Sequence, residues 1–134
     1  MIYRSKAPLR IGLAGGGTDV SPYCDLYNGA ILNATLSLYA YATIEVLDEP
    51  RIELHAWDQG ERLVYDRADS LPIDGKLDLL KGVYNRIQRD YGVPVKGLRL
   101  STYVDATAGS GLGTSSTLVV AIVGAFAELL KLPL

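Results

Sequence analysis

The sequence is nearly without thiol and imidazole chemistry: Cys24 is its one cysteine and His55 its one histidine. No intrachain disulfide can form, and no Cys/His set has the spacing of a metal site. That usage fits a reduced, cytoplasmic setting. No cluster of lysine and arginine is present either. Thirteen basic residues face 15 acidic ones, for a formal net charge of -2, so the chain has no field to draw a polyphosphate backbone and a nucleic-acid role is disfavoured. Long hydrophobic runs are also missing. The longest, Leu118 to Ala127, is broken by Gly124 and has about half the length needed to cross a bilayer, so no membrane span is expected. The first residues, Met1-Ile2-Tyr3-Arg4-Ser5-Lys6, have no long apolar stretch behind a basic end and do not form a secretory signal.

What is present is an ordinary globular balance, with 49% hydrophobic and 21% charged residues in 134, the size of a single core. Residues 2–13 read as a strand that ends in Gly15-Gly16-Gly17 and turns sharply. Ala30 to Leu47 reads as one long strand or two joined strands. In Arg51 to Trp57, Ile52, Leu54 and Ala56 alternate with Glu53, His55 and Trp57, giving a two-faced strand, and Asp58 to Glu61 resembles a hairpin turn into residues 62–66. Leu77, Leu80, Val83, Tyr84, Ile87 and Tyr91 form one helical stripe, stopped by Gly92 and Pro94. Residues 95–104 return to strand composition. Thr114 to Lys131 is helical in pattern and apolar on nearly every face, which predicts a helix buried on most sides. The expected fold is α+β: a two-layer structure with helices packed on one face of a sheet.

Two glycine-rich stretches carry the chemistry. The first is Asp105-Ala106-Thr107-Ala108-Gly109-Ser110-Gly111-Leu112-Gly113-Thr114-Ser115-Ser116, set between a strand and a helix. Alternate glycines free the backbone and let a ligand approach. The following helix points unpaired N–H groups and the positive end of its dipole into the loop, and Thr114, Ser115 and Ser116 add hydroxyls that can cap the helix or reach a phosphate or metal ion. The arrangement suits an anion, phosphate first; a plain glycine turn with a capped helix is the other reading. A Walker loop is ruled out because no lysine follows Gly113, and a dinucleotide fingerprint because Gly111 leads to Thr114. The second stretch runs from Lys6 through Arg10 to Gly15-Gly16-Gly17-Thr18-Asp19. Asp19 can accept hydrogen bonds from polyol hydroxyls, and Arg10 or Lys6 can meet anionic groups; a turn with an Asp-capped segment is the alternative.

Taken together and in this order, the two stretches resemble the GHMP kinase superfamily. Gly109 to Ser116 is similar to its phosphate-binding motif, and Ala7-Pro8-Leu9-Arg10 through Gly15, Thr18 and Asp19 to its N-terminal sugar-kinase motif. Gly16-Gly17-Thr18-Asp19 and Thr114-Ser115-Ser116-Thr117 most resemble the heptose-phosphate kinases, which phosphorylate the anomeric hydroxyl of D-glycero-D-manno-heptose 7-phosphate; fucokinases are the neighbouring possibility. The resemblance implies a domain like ribosomal protein S5 domain 2, with residues 1–134 forming the N-terminal ATP-binding domain and the C-terminal domain absent. It implies ATP and Mg2+ as cofactors and a sugar phosphate as substrate. Gly109, Ser110, Gly111, Leu112, Gly113, Thr114, Ser115 and Ser116 would hold the nucleotide phosphates, with Ser115 also touching Mg2+. Gly16, Gly17, Thr18 and Asp19 would bind the sugar, and Arg10 would stand near the reacting groups.

The sequence departs from the family pattern where galactokinases have Glu-His and this chain has Gly16-Gly17, and where Thr107 and Ala108 replace a proline before the loop. The family's catalytic aspartate lies beyond the final helix, so the chain by itself is expected not to turn over. A non-catalytic nucleotide- or phosphate-binding module is the rival reading. The apolar final helix calls for cover, from a homodimer or from the missing C-terminal domain. Tyr39 and Tyr41 are minor candidates to line a ligand site; Cys24 and His55 are assigned to packing and to a strand surface.

Overall fold

Five strands that bury apolar side chains on one face assemble a single mixed sheet. In the computed structural model, which describes residues 1–133, the strands are β1 (Ile2–Ala14), β2 (Leu32–Leu47), β3 (Arg51–Ala56), β4 (Glu61–Asp66) and β5 (Gly97–Val104). They pair in the order β1-β2-β5-β3-β4, all antiparallel except the parallel pair β3 and β5. Ala7, Leu9, Ala40, Ala42, Ile44, Ile52, Leu54, Ala56, Leu98 and Leu100 are buried on one face. Two helices cover that face: α2 (Asp78–Tyr91) and α3 (Thr114–Leu130), while a short α1 (Tyr23–Tyr27) belongs to the loop after β1. Leu80, Tyr84 and Ile87 of α2 and Leu118, Ala121, Ile122, Ala125 and Phe126 of α3 complete the core, with the rings of Tyr84 and Phe126 6.4 Å apart. This is the two-layer α+β arrangement with helices on one face that the sequence predicts.

Three details differ from the sequence reading. The helix α1 has no amphipathic stripe over its five residues and was not expected. The helix α3 is less enclosed than its composition suggests: its sheet-facing side is buried, but Val120 is 61% exposed. Glu53, on the face of β3 opposite the helices, is 1% exposed. Arg99 donates to it at 2.8 Å, Arg62 at 3.1 Å, and Arg51 Nε lies 2.7 Å away. The hydrogen bond from Arg99 is the main reason its carboxyl titrates below the usual range; burial opposes this, and Arg62 and Arg51 reinforce it.

The far end of β1 and β2 carries Arg10 and leads into the Gly15-Gly16-Gly17 turn. β5 pairs with β2 only over Ala40 to Leu47. Beyond that, Arg10 to Ala14 pairs with Leu32 to Thr35 alone, across a register irregularity between Pro8 and Arg10. A two-stranded ribbon therefore overhangs the sheet beside the start of α3. The irregularity is also why residues 30–47 read as either one strand or two.

Candidate functional site

The phosphate-type loop is shaped by its glycines. Gly109, Gly111 and Gly113 have φ of 79, 77 and 71°, the left-handed region that disfavours other residues. Gly113 is the N-cap of α3, and no side chain caps the helix. The first of its amides to bond within the helix is that of Thr117, to the Gly113 carbonyl at 3.0 Å. Among the described residues, the N–H groups of Thr114, Ser115 and Ser116 have no acceptor. Free amides and the positive end of a long helix thus converge on the loop, the arrangement that binds anions. The Ser116 hydroxyl does not cap the helix. It donates to the Gly113 carbonyl at 3.1 Å and accepts from Arg10 Nη1 at 3.2 Å.

The ribbon brings the second glycine-rich stretch to this loop. The backbone N–H of Arg10 donates to the Leu112 carbonyl at 3.2 Å, stitching β1 to the loop. The segment after β1 folds back on itself so closely that a Cβ on Gly15 would lie 1.9 Å from the Ala30 carbonyl oxygen, and one on Gly29 2.1 Å from that of Thr18. The Thr18 hydroxyl closes the same loop, donating toward the carbonyls of Gly15 at 2.7 Å and Ala30 at 3.0 Å, and accepting from the Ala30 amide at 3.1 Å. The result is a cleft of about 310 Å³ lined by Arg10, Gly12, Gly16, Gly17 and Asp19 from one side, Ile31 and Asn33 from β2 and its approach, and Gly111 and Gly113 from the loop.

Of the residues singled out in the sequence, Arg10, Gly16, Gly17, Asp19, Gly111 and Gly113 therefore share one cleft. Thr114 and Ser115 face a second pocket of about 250 Å³, lined also by Asp58, Gln59, Leu77, Leu79, Ala106 and Ala108. The loop is the wall between the two. Gly109, Ser110, Leu112, Ser116 and Thr18 line neither. Lys6 does not reach the cleft; its Nζ sits 4.5 Å above the ring of Tyr39. Asp105 also stays out, its carboxylate accepting from the Tyr39 amide at 2.8 Å. The Tyr41 phenol is held above its ordinary range by desolvation first and by Asp105 second.

Sequence reasoning missed Asn33 and Ile31 in the first pocket and the start of α2 in the second. Asn33 had a signal only in hindsight of the register, since it pairs with Gly12. No group of three or more His, Cys, Asp or Glu side chains that could hold a metal occurs among the described residues. Among the same residues, no helix is long and apolar enough to cross a membrane.

Comparison with known proteins gives a consistent picture. Residues 78–134 match the GHMP kinases N terminal domain. A D-glycero-alpha-D-manno-heptose 7-phosphate kinase from Campylobacter jejuni is 48% identical over 131 residues, covering 98% of this chain and 39% of that protein. A crystal structure of a D-glycero-D-manno-heptose 1-phosphate kinase from Bacteroides thetaiotaomicron superposes with a TM-score of 0.93 at 59% identity, over 100% of this chain and 44% of that one. The Lactococcus lactis galactokinase crystallised with galactose shares the fold, with a TM-score of 0.77 at 21% identity, over 99% of this chain and 34% of that one. The chain thus spans well under half the length of these relatives. The loop, the ribbon cleft and these matches agree: residues 78–134 match the N-terminal domain of the GHMP kinases, and the chain as a whole is similar in sequence and fold to heptose-phosphate kinases.

Proposed function

We propose that the protein is an ATP- and Mg2+-dependent kinase of a sugar phosphate, transferring a phosphoryl group to the anomeric hydroxyl of D-glycero-D-manno-heptose 7-phosphate. The observation that carries this is the shared wall: Gly111 and Gly113 of the anion loop line the same cleft as Arg10 and Asp19. A nucleotide whose phosphates rest on the loop amides would present its terminal phosphate to a sugar in the cleft. Gly109 to Ser115 would hold those phosphates mostly through backbone N–H groups, and the base and ribose would extend into the pocket beside Leu77 and Ala106. Asp19 would accept from sugar hydroxyls between Gly16 and Gly17, where the absence of side chains leaves room for a bulky polyol. Arg10 would offset charge developing on the transferred group. The 48% identity to a heptose 7-phosphate kinase supports the heptose over fucose, for which the corresponding relative, the Bacteroides fragilis L-fucokinase/L-fucose-1-P guanylyltransferase, is 26% identical.

In this reading residues 1–134 are the N-terminal ATP-binding domain, and they do not turn over unaided, because among the described residues Asp19 is the one side-chain carboxylate that lines the cleft. Calorimetry of ATP, with and without Mg2+, against the protein and its Gly111→Val variant tests the loop. Binding lost in the variant supports the assignment. Equal binding by both would reject it, and ADP release by residues 1–134 with heptose 7-phosphate would reject the inactivity.

A further inference from the structure

The guanidinium of Arg10 is held by a partner that leaves its charge intact. Among the described residues it makes no salt bridge. Its one side-chain hydrogen bond runs from Nη1 to Ser116 Oγ at 3.2 Å, across 106 residues of sequence. The Ser116 hydroxyl has a single proton, and that proton is committed to the Gly113 carbonyl at 3.1 Å, so the oxygen can only accept from Arg10. On the other side the guanidinium lies over Gly113, so near that a Cβ there would be 2.9 Å from Nη1 and 3.0 Å from Cζ. The backbone of the same arginine is fixed by its bond to Leu112. A long side chain that would otherwise sample many rotamers is thus clamped between a helix hydroxyl and a bare Cα, and Arg10 lines the cleft.

We infer that Ser116 is a positioning residue: it fixes the Arg10 guanidinium against Gly113, between the anion loop and the cleft, without neutralising it. The inference rests on the phosphoryl-transfer reading above and assigns Ser116 a task other than touching the nucleotide. A carboxylate in its place would orient the arginine equally well but cancel the charge that the reaction uses. A methyl would leave the charge but release the side chain. Only a hydroxyl does both, and it does so at an exposed site where its replacement does not threaten the core.

The test is steady-state kinetics of the full-length gene product with ATP and D-glycero-D-manno-heptose 7-phosphate, alongside thermal melts. Ser116→Ala should lower kcat by about tenfold, the usual contribution of a hydrogen bond to a charged group, with KM for ATP within about twofold. Ser116→Thr keeps the hydroxyl and should restore kcat to within about threefold of the parent. Ser116→Asp should melt no lower than the parent, because an acid in the first turn suits the helix dipole, yet lose more kcat than Ser116→Ala. In an Arg10→Ala background, Ser116→Ala should have no further effect. An unchanged kcat in Ser116→Ala, or an equal loss with and without Arg10, would overturn the inference alone. A parent protein that fails to phosphorylate any sugar phosphate would overturn it together with the proposed function.

Discussion

Adding one methyl group at Gly113 is the sharpest probe of how the loop and the cleft are joined. Gly113 has φ of 71° and Gly109 has φ of 79°, so alanine at either position forces an L-residue into the left-handed region at a cost of about 1–2 kcal/mol. For a chain of this size that lowers the melting temperature by about 3–8 °C. The two positions differ in what the new Cβ meets. At Gly109 it meets nothing within 4 Å; at Gly113 it meets Nη1, Cζ and Nη2 of Arg10 at 2.9, 3.0 and 3.3 Å. The arginine end is flexible, so it will yield rather than split the fold, but yielding takes it off Ser116, whose bond at 3.2 Å has little slack. Gly109→Ala and Gly113→Ala should therefore melt within about 3 °C of each other, since the lost exposed bond adds only about 0.5 kcal/mol. In turnover they should part: Gly113→Ala should lose about tenfold more kcat than Gly109→Ala, and that extra loss should vanish in an Arg10→Ala background. Equal kinetic penalties for the two alanines with Arg10 present would refute the reasoning.

Three further outcomes follow from the scaffold. Glu53 is buried among Arg99, Arg62 and Arg51 and its carboxyl is held low, chiefly by Arg99. A depressed folded pKa gives stability that is complete above the unfolded value, about 4.3, and lost as pH falls through the lower folded one. Glu53→Gln should cost about 3 kcal/mol at neutral pH and flatten the acid limb of a pH–stability curve; a parallel acid limb would count against the cluster. Lys81 is fully buried yet paired with Asp74 at 2.7 Å and near the ring of Tyr65; burial pulls its pKa down, but Asp74 and Tyr65 raise it further, for a net rise. Its contribution is complete below the ordinary lysine value of about 10.4 and is lost as pH climbs through the raised one, so Lys81→Met should melt with less alkaline dependence than the parent above pH about 10. At Gly97 a Cβ would stand 2.0 Å from the Glu49 carbonyl oxygen and 2.6 Å from that of Arg51. Gly97→Ala should therefore cost about 3 kcal/mol by parting backbones, whereas Gly82→Ala, in open space within α2, should gain up to about 1 kcal/mol; paired chemical denaturation curves distinguish the two.

The sequence displayed elements well where one local period governs them. Of the stripe Leu77, Leu80, Val83, Tyr84, Ile87 and Tyr91, all but the half-buried Val83 and the exposed Tyr91 became a buried face, as did the alternation of Ile52, Leu54 and Ala56. It misjudged α3 and Glu53 because exposure there is decided by neighbours that no local pattern encodes. Val120 is exposed because no other element covers that side of the helix, and Glu53 is buried because β5 delivers Arg99 and β4 delivers Arg62 to its flank. Composition told which residues were apolar or charged, and topology told which of them met.

The same distinction divides the candidate site. A glycine-rich turn before a helix is visible as text because its chemistry is backbone chemistry, local to Gly109 through Ser116, and needs no partner to be inferred. The cleft is of another kind. Asn33 enters it only through its register with Gly12, and Arg10 reaches Ser116 only because the ribbon of β1 and β2 overruns the sheet past the end of β5. Two motifs read independently, each open to a plain turn as its explanation, here share a wall, and that shared wall is what the proposed kinase reading rests on. The guanidinium of Arg10 lies against the last glycine of the loop, and the Ser116 hydroxyl turns to Arg10 and to the Gly113 carbonyl instead of to the amides of its own helix, contacts that neither motif displays when read alone.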